Sequence, residues 1–197
     1  MSERIILGPL RRDLLTLYHR WINDLSTQRT LSPTVRLFTL EEQQAWYDAR
    51  VTAAGRTEES FTIYERESMQ PIGTASWDEI NYHHRTATFG ILIGESAFRG
   101  RGLGTEVTRL MLDYAFTALG LHNVLLTVWE FNPAGLRAYT KAGFRECGRR
   151  HQCGLVAGKW WDLVYMECLA TDYVSPWLGQ LFASDMPHSS QGGHEGV

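Results

Sequence analysis

One stretch leaves this chain little freedom of architecture. Residues 87–118, ATFGILIGESAFRGRGLGTEVTRLMLDYAFTA, pass from a short apolar run through a glycine-rich turn into helical periodicity. Thr88 to Ile93 is mostly apolar with branched residues and reads as a buried strand. From Thr105 onward, Val107, Leu110, Met111, Tyr114 and Ala118 fall three or four apart, on one face of a helix. Between the two, Arg99-Gly100-Arg101-Gly102-Leu103-Gly104-Thr105 interleaves glycine with bulkier residues, so the backbone can take conformations closed to a Cβ and approach a ligand closely. A helix N-terminus carries unpaired N–H groups and the positive end of a dipole, which favours anions. The corner reads as a pyrophosphate cradle, with a plain left-handed glycine turn as the alternative.

Elimination narrows the cradle. A P-loop requires G-x-x-x-x-G-K-[ST], and no lysine lies between Met1 and Phe131. The dinucleotide fingerprint G-x-G-x-x-G also fails, because glycines 100, 102 and 104 bring the third one residue early. What remains is R-x-x-G-x-G.

The rest of the chain organises around this corner. Arg4 to Leu7 reads as a first strand ended by Gly8-Pro9, and Asp13 to Leu25 as one amphipathic helix carrying Leu14, Leu17, Tyr18, Trp21, Ile22 and Leu25. Residues 26–38 lack a clear period and read as a loop bordering a substrate site. Thr39 and Glu42 form a capping box that starts a helix ending near Gly55. Glu59 to Tyr64, Ile72 to Trp77 and the strand at Thr88 predict an antiparallel meander. Val124 to Trp129 reads as a strand buried on both faces, parallel to its predecessor across the helix. Asn132-Pro133 and Gly143 bracket a further helix, and Phe144 to Cys153 with Lys159 to Leu169 predict a hairpin turning at Gly154 to Gly158. Periodicity is lost from Thr171, and the end MPHSSQGGHEGV reads as disordered, with Trp177, Leu178, Leu181 and Phe182 available for packing.

At 197 residues and 44% hydrophobic, the chain supports one domain, expected over 1–170 with a tail over 171–197. Nineteen basic and 22 acidic residues are mixed along it, which disfavours a nucleic-acid partner. No signal-peptide pattern or membrane-spanning run is evident, and Cys147, Cys153 and Cys168 match no zinc template. A cytoplasmic protein without disulfide or metal is expected.

Taken together, the cradle, Asn132 to Tyr139 (N-P-A-G-L-R-A-Y) and Lys141-Ala142-Gly143-Phe144 resemble the N-acetyltransferases of the GNAT superfamily, over about residues 3–170. The segments Trp21 to Asp24 and Thr39 to Trp46 look like the branch with ribosomal-protein N-terminal and spermidine acetyltransferases. That resemblance implies an α/β (α+β) fold: a mixed, mostly antiparallel sheet flanked by helices, with a central parallel strand pair splayed around the cofactor. It implies acetyl-CoA as cosubstrate, bound by Leu92, Ile93, Arg99, Gly100, Arg101, Gly102, Leu103, Gly104, Thr105 and Asn132. Tyr139 is implied as the catalytic residue that protonates or hydrogen-bonds the departing sulfur. The acceptor would be the primary amine of a small molecule or a protein N-terminus, attacking directly in a ternary complex; a homodimer is a further possible state.

Two positions depart from the resemblance. Gly135 stands where relatives often have serine, and Thr88 where they frequently carry a glutamate that deprotonates the ammonium, so the base is left open among Asp78, Glu79 and Glu130 without a choice. The departures keep alive a second reading, a non-catalytic acyl-CoA binding or sensing module. His83, His84 and His151 read as polar turn residues, and Trp160-Trp161 as one indole on each face of a late strand.

Overall fold

A computed structural model describes residues 3–182. Strands β1 (Ile5–Pro9), β2 (Glu59–Glu65), β3 (Pro71–Asn81) and β4 (Thr86–Ile93) pair antiparallel in succession, and β5 (Asn123–Trp129) joins β4 in parallel. Beyond β5, the hairpin of β6 (Arg145–Val156) and β7 (Lys159–Leu169) completes a seven-stranded sheet in the order β1-β2-β3-β4-β5-β7-β6. Helices α1 (Leu15–Ile22), α2 (Leu25–Leu31) and α3 (Leu40–Ala53) precede β2; α4 (Leu103–Asp113) links β4 to β5, and α5 (Pro133–Ala142) links β5 to β6. The expected mixed, mostly antiparallel sheet flanked by helices is what the chain forms.

Strand periodicity sorts residues between the faces. On one face Ile63, Trp77, Phe89, Val124, Leu126, Val164 and Met166 are buried with Val107, Met111 and Leu112 of α4. A smaller cluster, Tyr18, Trp21 and Tyr47, sits under α1 and α3. Side chains alternating with the main core, Thr74, Ser76 and Asp78 on β3, stand opposite Leu92, Gly90 and Thr88 on β4. All of these but Thr88 line a cavity rather than a core.

Several sequence expectations need correction. The first helix does not run to Leu25: it stops at Ile22, and Asp24 N-caps a separate α2 by accepting from Thr27 N–H at 2.7 Å. Leu25 is exposed. Residues 26–38 are therefore not all loop. Helix α2 buries the polar Thr27 and Gln28; the Gln28 amide donates to Ile22 O and Arg36 O and accepts from Arg36 N–H at 2.8 Å. A helix that buries polar groups on backbone partners shows no hydrophobic period. Strand β5 is buried on one face only: Val124, Leu126 and Val128 point into the core, while Thr127 is exposed to a cleft. The late hairpin turns later than expected, on Ala157 and Gly158, both at positive φ (49° and 76°), because β6 extends through Val156. Trp160 is exposed, whereas Trp161 packs edge-on against Phe131 at 5.6 Å.

His83 and His84 lie in the turn between β3 and β4, but His151 lies within β6 and meets Asp162 at 2.9 Å. After β7 the chain folds back on α4. Asp113, fully buried, accepts from Trp177 N–H at 3.0 Å and Leu178 N–H at 2.8 Å, fixing the start of α6 (Leu178–Phe182). The segment MPHSSQGGHEGV lies outside the described residues. No helix among the described residues is long and apolar enough to cross a membrane.

Candidate active site

Strands β4 and β5 pair over only three positions, Thr86 with Asn123, Ala87 with Val124 and Thr88 with Leu125. Past Thr88 they part, and a cleft of about 430 Å³ opens between Gly90 to Ile93 on one side and Thr127 to Trp129 on the other. Its floor is the glycine corner. Gly100 (φ 71°) and Gly102 (φ 80°) are left-handed, so α4 starts at Leu103, and Gly104 and Thr105 of its first turn line the cleft end. A Cβ on Gly104 would meet no atom within 4 Å, which leaves room for a guest.

Most of the residues expected to hold the cofactor line this cleft: Leu92, Ile93, Arg99, Gly100, Gly102, Gly104, Thr105 and Asn132, together with Tyr139. Leu103 and Arg101 do not. The Leu103 side chain is buried in the main core, and the Arg101 guanidinium lies over the Phe98 ring at 5.3 Å. Arg99 lines the cleft but its guanidinium is occupied: it donates to Ile93 O at 2.8 Å, Gly94 O at 2.9 Å, Ser26 Oγ at 3.1 Å and Thr27 Oγ1. Arg99 thus braces the end of β4 against α2. Asp24 belongs to the same corner; hydrogen bonds from Ser26 and from Thr27 N–H and hydroxyl pull its carboxyl down to about 2.

Asn132 caps α5 as expected, accepting from Gly135 N–H at 2.9 Å, and its amide reaches Thr30 O of α2 at 3.3 Å. That placement explains Gly135: a Cβ there would stand 2.8 Å from the Asn132 amide nitrogen. Tyr139 is held edge-on between Phe89 and Phe144, each at 6.3 Å. Burial pushes its hydroxyl up to about 12, so the phenol keeps its proton at any neutral pH. Among the described residues no group hydrogen-bonds to that hydroxyl. The sequence reading missed Arg137 and Lys141, which also line the cleft. Their spacing of four on one helix was the available signal.

A second cavity, of about 590 Å³, lies between α1, α3 and the strands β3 and β4. Its walls are aromatic, with Tyr18, Trp21, Phe38 and Trp46, and its charges come in pairs. Arg36 stacks on Phe38 at 4.0 Å and meets Glu42 at 2.9 Å. Arg50 meets Asp78, and Glu58 at 3.3 Å. The two cavities share Leu31, Gly90, Ile91 and Leu92. Whatever lies along β4 in the cleft is therefore within reach of whatever fills the aromatic cavity.

Comparison with known proteins agrees with this geometry. The acetyltransferase (GNAT) domain model matches residues 4–145. Over 180 residues, 89% of this chain and 98% of the relative, the sequence is 35% identical to a spermidine N(1)-acetyltransferase of Vibrio cholerae. A spermidine N(1)-acetyltransferase of Escherichia coli K12 is 28% identical over 88% of this chain and 90% of that protein. Among solved structures, spermidine N-acetyltransferase from Vibrio cholerae in complex with CoA and spermine superposes with a TM-score of 0.77 at 27% identity, covering 86% of this chain and 97% of that one.

Proposed function

The chain belongs to the acetyltransferase (GNAT) family, and on that footing we propose how its two cavities divide the work of acetylating a small-molecule amine. The enzyme is an acetyl-CoA-dependent N-acetyltransferase. The glycine corner and first turn of α4 take the pyrophosphate, helped by Arg137 and Lys141, and the pantetheine arm runs between β4 and β5. The open space at Gly104 and the left-handed Gly100 and Gly102 fit such a group. Acetyl-CoA supplies the activated acetyl; the chain orients it, excludes water and manages protons.

The observation that carries the reading is the shared wall at Leu31, Gly90, Ile91 and Leu92, which brings a thioester in the cleft to the edge of the aromatic cavity. The amine attacks directly from that cavity in a ternary complex. Proximity of this kind is worth roughly 7–11 kcal/mol of barrier when the geometry is right. Tyr139 donates a hydrogen bond to the departing sulfur; a hydroxyl at about 12 is better suited to donating than to losing its proton outright.

For the acceptor, the relatives named for spermidine make an aliphatic polyamine the first choice. We further take residues 1–170 as the catalytic domain, the cytoplasm as its compartment and a homodimer as its state, with the exposed Leu155 and Trp160 of the β6–β7 hairpin supporting the last. The test is release of free coenzyme A from acetyl-CoA over a panel of spermidine, spermine, L-methionine sulfone, benzylamine and a peptide N-terminus. Turnover with a polyamine supports the full reading. Turnover with another small amine alone overturns the polyamine choice, and none with any amine overturns the function.

A further inference from the structure

Acetyl transfer to an amine needs somewhere for the ammonium to sit and lose its proton, and Thr88 cannot serve, because a hydroxyl is too weak a base. Four carboxylates come under consideration. Glu79 adopts positive φ (53°) and accepts from Thr88 Oγ1 at 3.1 Å, outside either cavity lining. Glu130 follows β5 and pairs with Arg149 at 3.2 Å. Glu42 lines the aromatic cavity, but one oxygen takes Arg36 and the other takes Thr39 N–H at 2.8 Å in the capping box.

Asp78 differs from all three. It lies on β3, opposite Thr88 in register, on the strand face that looks into the cavity. One oxygen, Oδ1, is held by Arg50. The other, Oδ2, has only the Ser76 hydroxyl at 3.2 Å, and a carboxylate oxygen can accept more than one bond. Beside it is Gly90. A Cβ there would stand 3.6 Å from Asp78 Oδ2 and 3.0 Å from Ser76 Oγ, so the missing side chain is what opens the carboxylate to β4. Gly90 also lines the cofactor cleft. Asp78 is thus the cavity carboxylate that abuts the shared wall.

The charge of the cluster points the same way. Arg50 is one cation set between two carboxylates, Asp78 in the cavity wall and Glu58 behind it, so this three-residue cluster carries one net negative charge while the Arg36–Glu42 pair beside it is neutral. That balance suits one bound ammonium.

We propose that Asp78 Oδ2, flanked by Ser76 Oγ, receives the acceptor's ammonium and takes its first proton, so that β3 provides the carboxylate which β4 lacks at Thr88. The proposal rests on the function proposed above. The ammonium gives one proton to Asp78, which passes it to solvent. The freed lone pair forms the C–N bond to the acetyl carbon as the C–S bond breaks, and the sulfur leaves as thiolate under the hydrogen bond of Tyr139. The second nitrogen proton ends on that sulfur, so one acetamide, one thiol and one proton account for all atoms.

The experiment compares wild type with Asp78→Asn, a near-isosteric change that leaves Arg50 its bond to Glu58. Steady-state kinetics use the best acceptor of spermidine, L-methionine sulfone and benzylamine, alongside acetyl-CoA affinity by calorimetry. The expected result is a fall in kcat/KM for the amine of about 100-fold, general-base removal typically costing roughly 10² to 10⁴, with acetyl-CoA affinity and melting temperature nearly unchanged. Hydroxylamine, unprotonated at neutral pH, should lose less than the alkylamine, a difference that a merely structural role would not produce. A loss of less than about tenfold on the amine in a folded variant overturns the assignment. Should Asp78→Asn fail to fold, Asp78→Ser, which removes the carboxylate and likewise leaves Arg50 paired with Glu58, is read the same way. Failure of wild type on every amine would instead overturn the function on which the assignment rests.

Discussion

The guanidinium of Arg99 donates to Thr27 Oγ1, tying the loop that opens α4 to the helix α2 across the mouth of the cleft. With the carbonyls of Ile93 and Gly94 as further acceptors, this arginine organises backbone rather than offering a free charge. Arg99→Met should therefore lower stability by about 2 kcal/mol, the scale of charge-assisted hydrogen bonds, and the melting temperature by about 4–8 °C. Loss of acetyl-CoA affinity in this variant should depend little on salt. For Arg137→Ala, a cation lining the cleft, the signs reverse, with unchanged melting and an affinity loss that shrinks at high ionic strength. Melting curves and binding isotherms at 50 and 500 mM salt decide it; equal behaviour of the two variants would refute the distinction.

The glycines of the corner also separate. Gly104→Val places a branched side chain in open space within the helix, where valine is no worse than glycine for the backbone, so folding should be kept while coenzyme A affinity falls at least about tenfold. Gly102→Ala strains a left-handed residue (φ 80°) by about 1–2 kcal/mol, so it should lose stability first. Unimpaired coenzyme A binding by folded Gly104→Val would remove the phosphate from this corner.

Tyr139→Phe keeps the ring between Phe89 and Phe144 and removes the hydroxyl alone. Turnover should fall about 100-fold, at the lower end for proton-transfer and hydrogen-bond catalysis, with the KM for acetyl-CoA nearly constant. A folded variant with wild-type kcat would make Tyr139 a packing residue.

Alkaline stability follows from several acids that burial raises, Tyr18, Tyr114 and Tyr173 among them, and Cys168 and Tyr139 serve as the test pair. Burial pushes the Cys168 thiol up to about 11 from 9.0 and the Tyr139 hydroxyl up to about 12 from 10.0. Both are neutral in either state below pH 9, so their contribution is complete there. Between the lower and upper values the unfolded chain ionises and the folded one does not. Stability should therefore fall as pH rises from about 9 to 12, by at most about 1.4 kcal/mol per pH unit for each group. Urea titrations should show the slope, and Cys168→Ala with Tyr139→Phe should lessen it, the other raised tyrosines keeping the remainder. A slope unchanged by both substitutions would assign the loss to other groups.

How far the sequence could be read depended on what each residue's partner was. Strand β4, the glycine corner and α4 were legible because apolar spacing and glycine placement are local signals, and the caps at Thr39 and Asn132 were legible for the same reason. Helix α2 escaped because its buried face is Thr27 and Gln28, whose partners are the Asp24 carboxylate and backbone groups at Ile22 and Arg36. The cleft was expected from the family resemblance, but the role of Arg99 was not, since nothing in the loop's own sequence tells whether a guanidinium turns toward phosphate or toward α2. Asp78 was visible as a strand carboxylate, yet its standing against Gly90 depends on the register between β3 and β4, which only the paired strands reveal.

The parting of β4 from β5 after Thr88 leaves the facing peptide groups of both strands without a neighbour along the cleft. An extended guest with amides of its own can bond to both edges at once, carrying past Thr88 the pairing that joins β4 to β5 over Thr86 to Thr88. In hydrogen-exchange terms, the ligand-free protein should have a seam of rapidly exchanging amides through its centre, and coenzyme A should slow them on both strands together. Cofactor binding would then double as a zip along the open half of the β4–β5 seam.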